Sequence, residues 1–211
     1  MTNTNYTKLT AGVIVAWFIF ALSASALHVF ENNASRIGVS VAIAATVPIV
    51  MFALWIAFSE PFRKFVFSLN PQILTLAQSW RIIGFIFVLL EARGALPSVF
   101  ARPAGYGDMA IGMTATFVAW RLTRPGYRNS FIAWQFLGII DLMAAVGLGT
   151  TASLLSPQAP TMAPLTMLPL SLVPTFLVPL FLIFHGICIA QARAWKATPT
   201  DVARRGAYRA A

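Results

Sequence analysis

Residues 38–59 read GVSVAIAATVPIVMFALWIAFS, an uninterrupted apolar run with no Asp, Glu, Lys, Arg or His. At 1.5 Å per residue a helix of this length crosses the ~30 Å hydrocarbon core of a bilayer. The run has neither the polar face of a surface helix nor the alternation of a half-buried strand, so lipid is its natural covering. Similar runs recur along the chain and predict six spans: 11–30, 38–59, 72–90, 102–120, 131–150 and 168–190. A transmembrane barrel would show alternating strands, which are absent from the pattern. Composition agrees: 58% of the 211 residues are hydrophobic, 10% are charged and the mean hydropathy is +0.76. The expected fold is all-α, a polytopic bundle of six transmembrane helices. A single membrane domain (1–194) is followed by a short basic cytoplasmic tail (195–211).

The basic residues set the orientation. Lys8, Arg63, Lys64, Arg121, Arg124, Arg128, Arg193, Lys196, Arg204, Arg205 and Arg209 fall on one side of the predicted topology. The other side carries Arg36, Arg93 and Arg102, and Arg81 lies inside a span. The positive-inside rule then places both termini in the cytoplasm. The net charge of +9 reads as an anchoring feature. Nucleic acid is not expected as a partner, because the basic residues are spread over separate segments without an aromatic platform.

Lys8, the apolar run from Ala11 and the small residues Ala24, Ser25 and Ala26 imitate a secretory signal. An uncleaved first span is the expectation, since the apolar run continues to Phe30. The one cysteine, Cys188, falls in the last span, which excludes an intrachain disulfide and predicts a packing role.

Two segments depart from a plain hydrophobic helix. Between Met109 and Trp120 there are too few uncharged residues to span, so the fourth crossing must begin near Arg102 and include Pro103, Gly105 and Gly107. Proline and glycine weaken a helix, and the fourth helix is expected to be broken or preceded by a re-entrant loop. Further on, Pro164, Pro169, Pro174 and Pro179 recur every five residues in a stretch free of Asp, Glu, Lys and Arg. An uncharged loop against the outer leaflet, then a kinked helix through Pro174 and Pro179, is the expectation.

The sequence RIIGFIFVLLEARGALPSVFARPAGYGDMAIG, from Arg81 to Gly112, is followed by Asp141 and by LVPTFLVPLFLIFH, ending at His185. This pattern resembles a group of uncharacterised bacterial six-helix integral membrane proteins. The resemblance covers the third span to the sixth. It implies the topology and transfers no activity.

Four ionisable residues, Arg81, Asp108, Asp141 and His185, lie in or at the edge of apolar stretches. A charge at mid-bilayer costs at least ~2.5–3.5 kcal/mol on insertion scales, so such residues are functional candidates by default. Counted from the cytoplasmic edge, Asp108 and Asp141 lie about 20 Å deep, Arg81 about 15 Å and His185 about 12 Å. Helical spacing allows them to converge. Gln78 and Arg81 share a face, and small residues flank Asp141 and follow Asp108.

Two readings follow. In the structural one, Arg81 and Asp141 form a register-fixing ion pair, Asp108 caps the fourth helix and His185 bonds a carbonyl freed by a proline. In the functional one, one arginine faces two aspartates, and the surplus carboxylate holds a proton, a cation or a cationic substrate. His185 would then relay a proton. The expected function is a small proton- or cation-coupled permease binding its ion or small-molecule substrate through Arg81, Asp108, Asp141 and His185. The alternative is a non-catalytic module or complex subunit. An intramembrane metal-dependent hydrolase built on Asp108, Asp141 and His185 ranks third. No cofactor or dedicated metal site is expected: His28 and His185 lie at different depths, which argues against a shared haem, and zinc, phosphate-loop and nucleophile-elbow motifs are missing.

Overall fold

The structure, a computed structural model, describes residues 3–31, 38–155 and 160–195, and every regular element among them is helical. The tail expected from residue 195 lies, beyond Trp195, outside the described residues. Helix α1 (Asn3–Ala26) is followed by α2 (Val39–Phe58) and the short α3 (Glu60–Ser68). The third span is composite, with α4 (Pro71–Leu76), a 3-10 stretch (Ala77–Gly84) and α5 (Phe85–Ala92). Then come α6 (Ser98–Arg121), α7 (Arg128–Leu155) and α8 (Val178–Ala194), the last entered through a π turn (Val173–Leu177).

Five stretches are long and apolar enough to cross a membrane: Asn5–Ala26, Val39–Phe58, Pro71–Ala92, Pro125–Leu154 and Val173–Ala194. Helix α6 equals them in length, with 24 residues, but is less apolar, because it carries Arg102, Asp108 and three glycines. Both charges are paired from α5 and the 3-10 stretch: Arg102 Nη2 lies 2.8 Å from Glu91, and Arg81 Nε lies 2.7 Å from Asp108.

The break expected at the start of the fourth crossing is absent. Helix α6 runs unbroken from Ser98 through Pro103, Gly105 and Gly107 to Arg121. Pro103 falls in the second turn, where its missing N–H deprives the Val99 carbonyl of a partner. The glycines stay helical because neighbours occupy the space of their missing side chains. A Cβ on Gly105 would stand 2.6 Å from Val88 Cγ2 and 3.0 Å from the Gly84 carbonyl.

The irregularity sits instead in the third span. Residues i and i+3 eclipse in a 3-10 helix, so Gln78, Arg81 and Gly84 form one line, and all three are buried against the core. A 3-10 stretch of eight residues is uncommon and typically marks a strained or functional segment. At the start of the last span, where a kink is expected, Pro174 lies in the π turn, and the Val178 N–H bonds back five residues to the Val173 carbonyl.

Apolar clusters hold the two ends. At one, Phe62, Phe65 and Val66 of α3 pack with Tyr6, Leu74, Phe131, Ile187 and Ala192. Helix α3 fills the interval between the second and third predicted spans. It is a helix capped by Ser59, which accepts from the Phe62 N–H, with its apolar face inward and Arg63 and Lys64 exposed. The Gln191 amide donates to the Val66, Phe67 and Leu69 carbonyls at the end of α3, at 3.1, 3.4 and 2.8 Å. At the opposite end Phe87, Leu96, Phe100, Ala152, Met162 and Leu165 form the second cluster. The candidate site lies between these two ends.

Candidate functional site

Four elements bring their polar residues together on one guanidinium. Arg81, presented by the inward line of the 3-10 stretch, has only 1% of its side chain exposed. Its Nε donates to Asp108 Oδ1 of α6 at 2.7 Å, and its Nη2 donates to Asp141 Oδ2 of α7. Its Nη1 donates to the Gly138 carbonyl at 3.3 Å and faces His185 Nε2 of α8 at 3.4 Å. All four residues singled out from sequence thus meet. Asp108 is the eleventh residue of α6, so the alternative of a helix cap fails, and its carboxylate serves Arg81 instead.

Glycines make this convergence possible. A Cβ on Gly107 would overlap the Asp141 carboxylate, and one on Gly84 would overlap Asp108 Cβ. A Cβ on Gly112 would strike the Ile82 backbone nitrogen, and one on Gly138 would strike the His185 ring. These glycines let α6, α7, α8 and the 3-10 stretch approach one another closely around Arg81, as small residues do between membrane helices.

The hydrogen bonds also fix a direction. A guanidinium can only donate, so His185 Nε2 accepts from Arg81 and the ring proton must sit on Nδ1. His185 Nδ1 then donates to Gln135 Oε1 at 2.5 Å, and Gln135 Nε2 donates to Thr75 Oγ1 at 3.2 Å. Thr75 in turn donates to the Pro71 carbonyl at 2.8 Å. Gln135, Thr75 and His185 are all fully buried. The chain leaves both nitrogens of His185 engaged, which gives the relay expected of it no free ring nitrogen in this arrangement. A proton arriving at Nε2 would set an N–H against the N–H of Arg81.

Sequence reasoning missed Gln135 and Thr75. Their signal was available, since both are polar residues within predicted spans, but neither carries a charge that an apolar run makes conspicuous. Gln78, noted on the face of Arg81, donates from Nε2 to the Phe181 carbonyl at 3.4 Å, while its buried Oε1 has no partner among the described residues. Cys188 is buried, with Sγ 3.8 Å from Thr75 Oγ1, in a packing position.

The charge balance is uneven. One guanidinium faces two carboxylates beside a neutral imidazole, for a net −1 when both aspartates are ionised. The side chains of Asp108 and Asp141 retain 15% and 18% of their exposure, whereas Arg81 is sealed. A space of about 60 Å³ adjoins Arg81 and Asp108, lined also by Phe87, Leu142, Val173 and Phe181. Among the described residues no group of three His, Cys, Asp or Glu side chains stands close enough to hold a metal ion. Arg81 separates His185 from the aspartates, so the ligand set considered for a metal-dependent hydrolase does not form.

His28, the other histidine, lies just beyond α1 with Nδ1 2.5 Å from Glu31, apart from this centre. No curated protein and no solved structure matches the chain. Residues 36–193, which take in the whole Arg81 centre and leave out α1, match the family described as a domain of unknown function (DUF8737), and the chain belongs to that family.

Proposed function

We propose that this chain crosses a bacterial inner membrane six times, with both termini cytoplasmic, and that the Arg81 centre is the proton- or cation-binding site of a small coupled permease. The sixth crossing is α6, whose charges are neutralised in pairs and whose length equals that of its neighbours. The observation that carries the functional reading is the sharing of one guanidinium by Asp108 and Asp141. One carboxylate suffices to neutralise one arginine, and a second buried carboxylate is costly unless a proton or cation accompanies it. Gln78 Oε1, without a partner among the described residues and on the same buried line as Arg81, offers a further acceptor for such a ligand.

The second reading, a non-catalytic module with a structural polar core, is favoured by one specific observation. The polar groups are largely paired with one another, and the adjoining space holds only a few water-sized groups. Under the permease reading this is the closed arrangement. A binding measurement separates the two: the purified chain in lipid nanodiscs is titrated with acid or with sodium while its carboxyl infrared bands are followed. A coupled site gives a change that is lost in Asp141→Asn, whereas bands unchanged by either titrant would leave the structural module as the reading.

A further inference from the structure

The Arg81 centre carries a net charge of −1 with both aspartates ionised, yet it has few oxygens free to receive a cation. Asp108 gives Oδ1 to Arg81 and Asp141 gives Oδ2, so each carboxylate keeps one oxygen. Neither stands in the open. Asp141 Oδ1 is pressed against the α6 backbone at Gly107, and Asp108 Oδ2 would lie 3.1 Å from a Cβ on Gly84. The space of about 60 Å³ beside Arg81 and Asp108 is otherwise walled mostly by apolar side chains, among them Phe87, Leu142, Val173, Leu177 and Phe181.

A hard metal cation exchanges its water for several oxygens. Besides the two carboxylate oxygens, the one acceptor left over on the inward line of the 3-10 stretch, among the described residues, is Gln78 Oε1. These atoms come from three elements arranged around a guanidinium, whose own charge opposes a second cation. Ammonium would likewise leave N–H groups unpaired against the apolar wall, a costly arrangement. A proton needs a single oxygen and no added volume, and it brings the centre from −1 to zero. A divalent ion would overshoot to +1. The charged or titratable groups facing the two aspartates are Arg81 from the 3-10 stretch and, beyond it, His185 from α8, whose Nε2 already accepts from Arg81.

Resting on the reading of this centre as a coupled site, we infer that its ion is a proton, held jointly by Asp108 and Asp141, and that sodium, potassium and ammonium are excluded. In uptake, a hydronium in the adjoining space transfers its proton to a carboxylate oxygen and remains as water, for which that space is large enough. Release is the reverse. The two carboxyls act as one pair, with a single proton between them.

The test is acid titration of the purified full chain in nanodiscs of uncharged lipid, following the carboxyl infrared band. It is repeated over a roughly hundredfold range of sodium, potassium or ammonium chloride, with choline chloride holding the ionic strength constant. One protonated carboxyl should appear, with a midpoint that none of the three cations moves. The band should be missing from both Asp108→Asn and Asp141→Asn, since either change removes the surplus charge. A cation competing for the site would lower the midpoint by about one pH unit per tenfold rise in its concentration. That shift would overturn the proton assignment while leaving a coupled site in place. No response to acid or to any cation would instead remove the coupled site itself. A band that persists in both variants would belong to another carboxyl and would also overturn the inference. The cation series uses the natural chain alone, so it decides between proton and cation even if a variant does not fold.

Discussion

The Asp141 carboxylate occupies the space in which a side chain at Gly107 would begin, so α6 and α7 close on each other only because residue 107 has no Cβ. Gly107→Ala should therefore move Asp141 off Arg81. Gly112→Ala is expected to be worse, because its Cβ meets the Ile82 backbone, which has less freedom to move than a side chain. Each should cost about 1–3 kcal/mol, the usual range for overpacking. Gly147→Ala is the control, since nothing lies within 4 Å of its added Cβ. Thermal melts in detergent check the ranking, and equal melting of all three variants would show that the helices are not in this close contact.

Charge arithmetic at Arg81 gives an unequal set of effects. Arg81→Leu strands two carboxylates and should lower stability by about 3–5 kcal/mol, as losses of one partner in buried pairs do. Asp108→Asn or Asp141→Asn alone leaves a neutral pair and should be tolerated, while the double change strands the arginine. Adding Arg81→Leu to that double variant should recover folded yield. Strictly additive losses would show that the three do not act together.

The tautomer of His185 is open to direct observation. Nitrogen-15 shifts should report a neutral ring with the proton on Nδ1, since Arg81 supplies the donor at Nε2. Gln135→Leu removes the acceptor and should destabilise the fold by ~1–3 kcal/mol, the cost of an unmade buried hydrogen bond. A doubly protonated ring near neutral pH would contradict the arrangement.

Orientation is tested by cysteines placed at exposed Lys64, Arg93 and Asn129 after Cys188 is replaced. In intact cells a membrane-impermeant thiol reagent should modify position 93 and spare positions 64 and 129. The reverse pattern would invert the topology.

The four charged or titratable members of the centre were legible because an ionisable group stands out in an apolar run, and helix periodicity allowed them one meeting point. The neutral links Gln135 and Thr75 were not, because an amide or hydroxyl in a span is cheap enough to occur for packing alone. The site of helix distortion was also misplaced. Pro103, Gly105 and Gly107 weaken a helix locally, yet each glycine is recovered by close contact in α6. In contrast, residues 77–84 contain no proline, and their 3-10 winding reflects a tertiary demand that Gln78, Arg81 and Gly84 face inward at a spacing of three. Helix α3 carried a local signal that went unused: Ser59 as cap, Pro61 in the first turn, and Phe62, Phe65 and Val66 at helical spacing.

The most direct test of a coupled site at Arg81 is ion flux into proteoliposomes under an imposed pH or sodium gradient, comparing the natural chain with Asp108→Asn. The amide keeps an oxygen for Arg81 Nε while removing the surplus charge, so folded yield should hold. Gradient-driven flux in the natural chain that disappears in Asp108→Asn is the expected result. No flux in the natural chain, or flux whose size and pH dependence survive the substitution, would contradict the permease reading and leave the centre as a structural core.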